Sequence, residues 1–161
     1  MEEYDAIAEE YRDSKQLPYR EHVERHSLFQ LVGDVRGKAI LDVACGEGFY
    51  TRLLKKAGAS EVTGVDISGA MIRLAEDEER RHPIGCKYVQ VDVAAFEPSG
   101  PVDLVVAMYM LHYARTGEQL SRFCQVCHDA LRPGGRFLGV KKTTHRWRHS
   151  ALRALTCVPS I

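Results

Sequence analysis

Ala39-Ile40-Leu41-Asp42-Val43-Ala44-Cys45-Gly46-Glu47-Gly48 is the stretch whose reading decides the fold. Its first five residues form an apolar run broken only by Asp42, the pattern of a strand buried in a parallel sheet. The small residues that follow let backbone come close to a ligand before a helix begins at about Phe49. Glycine-rich turns between strand and helix commonly serve anions through the positive helix N-terminus. Here Asp42 and Glu47 put negative charge where a pyrophosphate would sit. The turn therefore suits a cationic nucleoside better than a phosphate.

Working outward, Phe49, Leu53, Leu54 and Ala57 mark a helix closed by Gly58, and Glu61–Asp66 forms a second strand, which completes a βαβ unit. Asp66 lies 20 positions after Gly46, close to the spacing at which an acid meets two ribose hydroxyls. Ser68 caps the next helix, whose apolar face is Met71, Ile72, Leu74 and Ala75. The run Glu76-Asp77-Glu78-Glu79 predicts a solvated face. A third strand over Lys87–Val91 is followed by Asp92, so three successive strands end in carboxylates, at the edge where open α/β sheets bind ligands. Strand four, Val102–Ala107, is nearly all apolar, as expected at a sheet centre, and runs into Met108-Tyr109-Met110-Leu111-His112-Tyr113. Residues 117–131 predict a helix with Leu120, Phe123, Cys124, Cys127 and Leu131 on one face. Arg132-Pro133-Gly134-Gly135 ends it before a fifth strand at Arg136–Val140.

Upstream of the first strand, Tyr4, Ile7, Ala8 and Tyr11 share a helical spacing over residues 3–14. Val23, Leu28, Leu31 and Val32 do the same over residues 19–32, ending at Gly33. This lead-in either covers a ligand or packs on an edge of the sheet. His22 and His26 stand at a metal-ligand spacing, but His22-Val23-Glu24-Arg25-His26 lacks the H-E-x-x-H order, so solvated helix histidines and no metal are expected. Cys124-Gln125-Val126-Cys127-His128 matches the c-type haem attachment pattern. Both cysteines fall on the predicted core stripe, where they serve as small buried residues.

With 161 residues, 45% of them hydrophobic and 27% charged, the chain has the composition of one soluble globular domain. The 22 basic and 22 acidic side chains cancel, which gives no global electrostatic reason for a nucleic acid or a membrane surface as partner. Of these, 17 acidic but only 11 basic residues lie at or before Arg80, leaving 5 and 11 beyond it, so the basic excess sits in the C-terminal half. The opening Met1-Glu2-Glu3-Tyr4-Asp5 is acidic and is not followed by an apolar stretch, so no secretory leader is expected, and no apolar run reaches the roughly 20 residues of a membrane span. Five irregularly spaced cysteines suit reduced thiols, and a cytoplasmic location is expected.

Over residues 4 to about 140 the pattern resembles the class I S-adenosylmethionine-dependent methyltransferases. The carriers are Leu41–Gly48 (L-D-V-A-C-G-E-G), Val62–Ser68 (V-T-G-V-D-I-S), Val91–Val93 (V-D-V), the stretch from Val102 to Tyr113, and Leu131–Gly135 (L-R-P-G-G) before strand five. Within that family it looks closest to small-molecule methyltransferases. The opening Tyr4–Tyr11 and Lys15–Arg20 are similar to the lead-in of N-methyltransferases acting on heterocyclic metabolites such as toxoflavin precursors. The resemblance implies S-adenosyl-L-methionine as cofactor and methyl transfer to N or O of a small acceptor. It implies Gly46 and Gly48 packed under the methionine part, with Ala44 in place of the family's first glycine. Asp42 would order the amino group and Asp66 would accept from both ribose hydroxyls. Ile67 would lie on the adenine face, Asp92 and Val93 would meet the adenine amino group and ring, Ala107 would offer its carbonyl to the ammonium, and Tyr11 would close over the site. His112 and Tyr109 are the candidates for orienting or deprotonating the acceptor, and Tyr19 and Arg20 for holding it.

The fold expected is a Rossmann-like open sheet of five parallel strands, order 3-2-1-4-5, with helices on both faces. A helical cap over residues 1–36, a core over 37–141 and a basic, poorly ordered tail over 142–161 divide the chain. Family members continue past strand five with a helix and a final antiparallel pair, which this tail is too short to supply. Leu152, Leu155 and Val158 predict at most one short helix there. An exposed fifth strand would then be an edge open to pairing with a second copy. The rival readings are a cofactor-binding but inactive methyltransferase-like fragment, a nicotinamide-dependent oxidoreductase, and a nucleic-acid module using the basic tail. The second has Thr51 where the third fingerprint glycine belongs.

Overall fold

Aliphatic and β-branched runs build the sheet, and helices whose apolar stripes repeat every third or fourth residue cover it. The computed structural model describes residues 24–142 and 152–157. The expected helix over 3–14 and Tyr11, Tyr19, Arg20 and His22 lie outside the described residues. Helix α1 spans Arg25–Val32, β1 Ala39–Val43, α2 Phe49–Lys56, β2 Glu61–Asp66, α3 Gly69–Arg81, β3 Cys86–Gln90 and β4 Val102–Met108. Helix α4 spans Gly117–Asp129, β5 Leu131–Lys142 and β6 Leu152–Cys157. Short 3-10 turns occur at Val93–Ala95 and Leu111–Tyr113.

The strands lie in the order β3-β2-β1-β4-β5-β6. The first five are parallel and β6 runs antiparallel beside β5, from Phe137 opposite Cys157 to Lys142 opposite Leu152. Alternation along the strands splits the core in two. Ile40, Val62, Leu104, Val106, Leu138 and Val140 pack with Leu28 and Val32 of α1 and Tyr50 and Leu54 of α2. Leu41, Val43, Val65, Val105 and Ala107 face the other way, onto Phe123, Val126 and Cys127 of α4. Each fully buried aliphatic side chain contributes about 1.5–3 kcal/mol. Helix α3 runs along β2 and β3. At the C-terminus of α1 the Arg136 guanidinium donates to the Leu31 and Val32 carbonyl oxygens at 2.9 and 3.2 Å, satisfying acceptors the helix leaves open.

The five parallel strands and their order agree with the sequence reading, and the C-terminal end departs from it. Residues 152–157 form a strand, not a helix, because β5 offers an unpaired edge that an extended segment satisfies along its length. One antiparallel strand is therefore present, and β5 is an inner strand. The premise of a dimer through an exposed β5 falls with it. The Arg132-Pro133-Gly134-Gly135 segment does not end the helix. Helix α4 stops at Asp129, and the four residues bulge out of β5, since Val102 pairs with Leu131 while Leu104 pairs with Arg136. A Cβ on Gly135 would lie 2.9 Å from the Arg132 carbonyl oxygen, so the bulge needs a residue without one.

Two predicted faces are also corrected. On α4 the buried set is Phe123, Val126 and Cys127, which pack with Val105 and Ala107 of β4, while Leu120 and Cys124 are exposed. Glu79, expected to be solvated, accepts the backbone N–H groups of Ile84 and Gly85 at 2.7 and 2.6 Å and fastens the turn into β3. No helix among the described residues is long and apolar enough to cross a membrane.

Burial pushes the Cys127 thiol from the ordinary 9.0 up to about 12, with Cys124 adding to it. Burial and the nearby Glu79 push Cys86 up to about 11. Between those values the unfolded chain has lost protons that the folded chain keeps, so stability is full below about pH 9 and falls as pH rises towards 12. Urea unfolding across that range will show the decline, and Cys127→Ala will make it shallower.

Candidate functional site

Three left-handed residues in alternation shape the turn after β1: Ala44 at φ +56°, Gly46 at +58° and Gly48 at +79°. The Cys45 N–H donates to the Val65 carbonyl at 3.0 Å and the Gly48 N–H to the Cys45 carbonyl at 3.1 Å. The Gly46 N–H donates to Asp66 Oδ2 at 2.8 Å, while Asp66 Oδ1 accepts the Ser68 N–H at 2.9 Å. One carboxylate thus ties the turn after β1 to the turn after β2. Ser68 Oγ in turn accepts the Met71 N–H at 3.2 Å and caps α3.

Asp42 and Glu47 are scaffold rather than wall. Asp42 sits inside β1, paired with Gly64 and Val106 on its two sides, is 1% exposed, and accepts the Thr51 hydroxyl at 2.6 Å. Glu47, also buried, meets Arg52 Nη2 at 2.6 Å, and the same guanidinium donates to the Glu47 carbonyl at 2.6 Å. Burial works against the Arg52 charge, but the Glu47 carboxylate outweighs it and raises the Arg52 pKa. Cys45 behaves as a neutral packing group: burial, then the charges of Asp42, Asp66 and Glu47, push its thiol well above 9.0. Gly48 answers to packing as well. A Cβ there would lie 2.5–2.8 Å from the hydroxyl end of the Tyr88 ring.

At the carboxyl ends of the strands opens a cavity of about 410 Å³. Asp92 and Val93 line it beyond β3, Asp66, Ile67, Ser68 and Met71 beyond β2, Ala44 and Gly46 beyond β1, and Met108, Tyr109 and Met110 at β4. Tyr113, Arg115, Gln119 and Phe123 complete the wall. Of the residues singled out in the sequence, Ala44, Gly46, Asp66, Ile67, Asp92, Val93 and Tyr109 are on this wall, and Asp42, Gly48, Ala107 and His112 are not. Ala107 is fully buried within β4. His112 is exposed, with its ring 4.2 Å from Tyr113 and 6.3 Å from Tyr109. Asp92 lies two residues past β3 and caps the following 3-10 turn through the Ala94 N–H at 2.9 Å.

The sequence reading did not assign Ser68, Met71, Met108, Met110, Tyr113, Arg115, Gln119 or Phe123 to the site. Met71 and Phe123 carried a signal, each as an apolar position on a predicted helix. The start of α4 comes to the cavity because the 3-10 turn after β4 carries the chain back across the strand ends, which no local pattern announces. Among the described residues no group of three or more His, Cys, Asp or Glu is placed to hold a metal ion.

A family model described as a methyltransferase domain matches residues 40–135, the part of the chain that holds β1 to β4 and the cavity. The chain belongs to the methyltransferase domain family. Among curated relatives, the ubiquinone biosynthesis O-methyltransferase of Bordetella avium is 31% identical over 108 residues, covering 66% of this chain and 43% of that protein. The chain spans less than half the length of the curated relatives it matches first. Among solved structures, the DhpI-SAM-HEP complex is 30% identical with a TM-score of 0.72, over 89% of this chain and 64% of that one. An S-adenosylmethionine-dependent methyltransferase from Mesorhizobium loti is 29% identical with a TM-score of 0.65, over 73% and 52%.

In this methyltransferase domain the turn tolerates no side chain at position 48. Gly48→Ala combines a left-handed alanine with a clash against Tyr88 and will cost about 2–4 kcal/mol. Chemical denaturation of the single variant measures the loss, and Gly48→Ala combined with Tyr88→Leu will recover the part due to the clash.

Proposed function

We propose that this chain binds S-adenosylmethionine in the strand-end cavity and transfers its methyl group to nitrogen or oxygen of a small molecule. The observation that carries this reading is the order of chemistry along one wall. Carboxylates stand at the ends of β2 and β3, small left-handed residues follow β1, and apolar and aromatic side chains lie at β4. Acceptor oxygens on Asp66 and Asp92 suit ribose hydroxyls and an adenine amino group. Ile67, Val93 and Met71 offer apolar contact to a ring. Asp66 and Asp92, at the ends of β2 and β3, disfavour a pyrophosphate there and so a dinucleotide, and the buried Thr51 that donates to Asp42 stands where a dinucleotide fingerprint has its third glycine.

Bound there, S-adenosylmethionine supplies a methyl group already activated by the sulfonium. The chain's own task is alignment and exclusion of water. Asp66 fixes the ribose and, through the Gly46 N–H, keeps the turn closed beneath the methionine part. Asp92 and the Val93 backbone read the adenine edge. Asp42 supports the turn from behind through Thr51 instead of touching the amino group. The Ala107 carbonyl, Tyr109 and His112 remain candidates at the β4 end for the ammonium and the acceptor, as Tyr11, Tyr19 and Arg20 do from outside the described residues.

Calorimetric titration with S-adenosylmethionine and its demethylated product tests the cofactor assignment. The parent will bind both, and Asp66→Asn will weaken binding by about 10–100-fold, the loss of one or two charge-assisted hydrogen bonds. No binding by the parent overturns the proposal, and unaltered binding by the variant removes the ribose role. Transfer of labelled methyl across a panel of small phenols and heterocyclic amines then identifies the acceptor class.

A further inference from the structure

Glu24, just before α1, is 4% exposed, and neither the turn nor the cofactor reading uses it. Its two oxygens each accept a tyrosine hydroxyl: Tyr50 of α2 donates to Oε2 at 2.5 Å, and Tyr109, immediately after β4, donates to Oε1 at 2.6 Å. Bonds this short to a carboxylate are the charge-assisted kind. The same Tyr109 adopts a left-handed backbone at φ +68°, which costs a side-chain-bearing residue about 1–2 kcal/mol. It is held there from both ends, since its N–H donates to the Val140 carbonyl at 2.7 Å while its hydroxyl is fastened to Glu24.

Position gives this clamp a consequence. Tyr109 lines the large cavity at its β4 end, the opposite end from Asp92 in the strand order β3-β2-β1-β4. On the other side, a second cavity of about 350 Å³ is lined by Glu24, Leu28, Leu31, Met108 and Val140. Met108 borders both spaces, and Tyr109 joins them chemically, with its body on one wall and its hydroxyl bonded to a residue of the other. A ring at that point sets how far the first cavity extends past β4.

We propose that Glu24 is a positioning residue: it holds Tyr109 in its left-handed conformation so that the ring forms the wall between the two cavities. Under the function proposed above, and resting on it, that wall is where the methyl group meets its acceptor. Glu24 acts through Tyr109 and touches neither cofactor nor acceptor. Tyr50 holds the carboxylate in place from the core side.

Amide hydrogen exchange resolved by NMR on the ligand-free chain tests the clamp without any assumption about activity. Glu24→Gln and Tyr109→Phe will each speed exchange of the Tyr109 N–H by about tenfold or more, while the Gly46 and Ser68 amides held by Asp66 stay within about twofold of the parent. Tyr50→Phe takes a bond from the same carboxylate but none from Tyr109, and will leave the Tyr109 amide within about threefold. Exchange that is unchanged at Tyr109 in both clamp variants, or that rises alike at all three amides, overturns the proposal; Tyr109→Phe decides it alone if Glu24→Gln does not fold. With a methylated acceptor in hand, Glu24→Gln will raise the acceptor KM or lower kcat about tenfold and leave the Kd for the demethylated cofactor within about threefold. A parent that fails to bind cofactor defeats the function proposed above, and the exchange result still decides the clamp.

Discussion

The two hydrogen bonds accepted by Asp66 are the constraint on which the site depends. Parallel strands end at the same level but their following turns are independent pieces of chain, free to diverge unless something joins them. Asp66 joins two of them by accepting the Gly46 and Ser68 N–H groups with its separate oxygens. The first bond fixes a left-handed residue in the turn after β1; the second sets the loop from which Ser68 caps α3. A neutral side chain there would give up the charge-assisted part of both bonds. The ligand face of the cavity is therefore held by the same group that the ligand would contact.

Behind that face the acids are sorted by burial. Asp42 and Glu47 look like binding groups in sequence because they flank a glycine turn, yet both are buried, where Asp42 Oδ2 accepts the Thr51 hydroxyl and Glu47 pairs with Arg52. Burying a carboxylate without such partners costs several kcal/mol, so their pairing is a condition for having acids under the turn at all. What reaches the cavity is then Asp66 and Asp92, set on neighbouring strand ends. The result is a wall whose carboxylate acceptors are Asp66 and Asp92, with Glu47 charge-paired to Arg52 beneath it.

The sheet was legible because its signal is local. β1 and β2 have the predicted limits, since short segments with β-branched residues, bounded by turn formers on either side of an amphipathic helix, fit the two strands of a βαβ unit. β3 begins one residue earlier than its pattern suggests, because Cys86 pairs with Val62. β6 was hidden: Leu152, Leu155 and Val158 repeat at helical spacing, and only the unpaired edge of β5, a partner remote in sequence, selects the extended form. The site divides in the same way. Asp66 and Asp92 follow from strand ends and spacing, whereas the part of the wall built by Arg115, Gln119 and Phe123 depends on how the turn after β4 folds back. Glu24 gave no local signal, because its importance comes from two tyrosines far along the chain.

Local rules fail most clearly at two residues, and both border the cavity. Ala44 and Tyr109 are the described non-glycine residues with positive φ, one after β1 and the other after β4. Each carries a backbone cost of about 1–2 kcal/mol that glycine would avoid. Such strain persists only where neighbouring contacts over-determine the conformation, and both positions meet that condition. Ala44 is flanked by the bonds from Cys45 to Val65 and from Gly46 to Asp66, and Tyr109 is held at its N–H and its hydroxyl. A glycine after β4 would relax the backbone and lose the ring. The chain keeps the strained tyrosine, with a buried glutamate to hold it, which gives the β4 end of the cavity a wall held from two sides, opposite the end lined by Asp92.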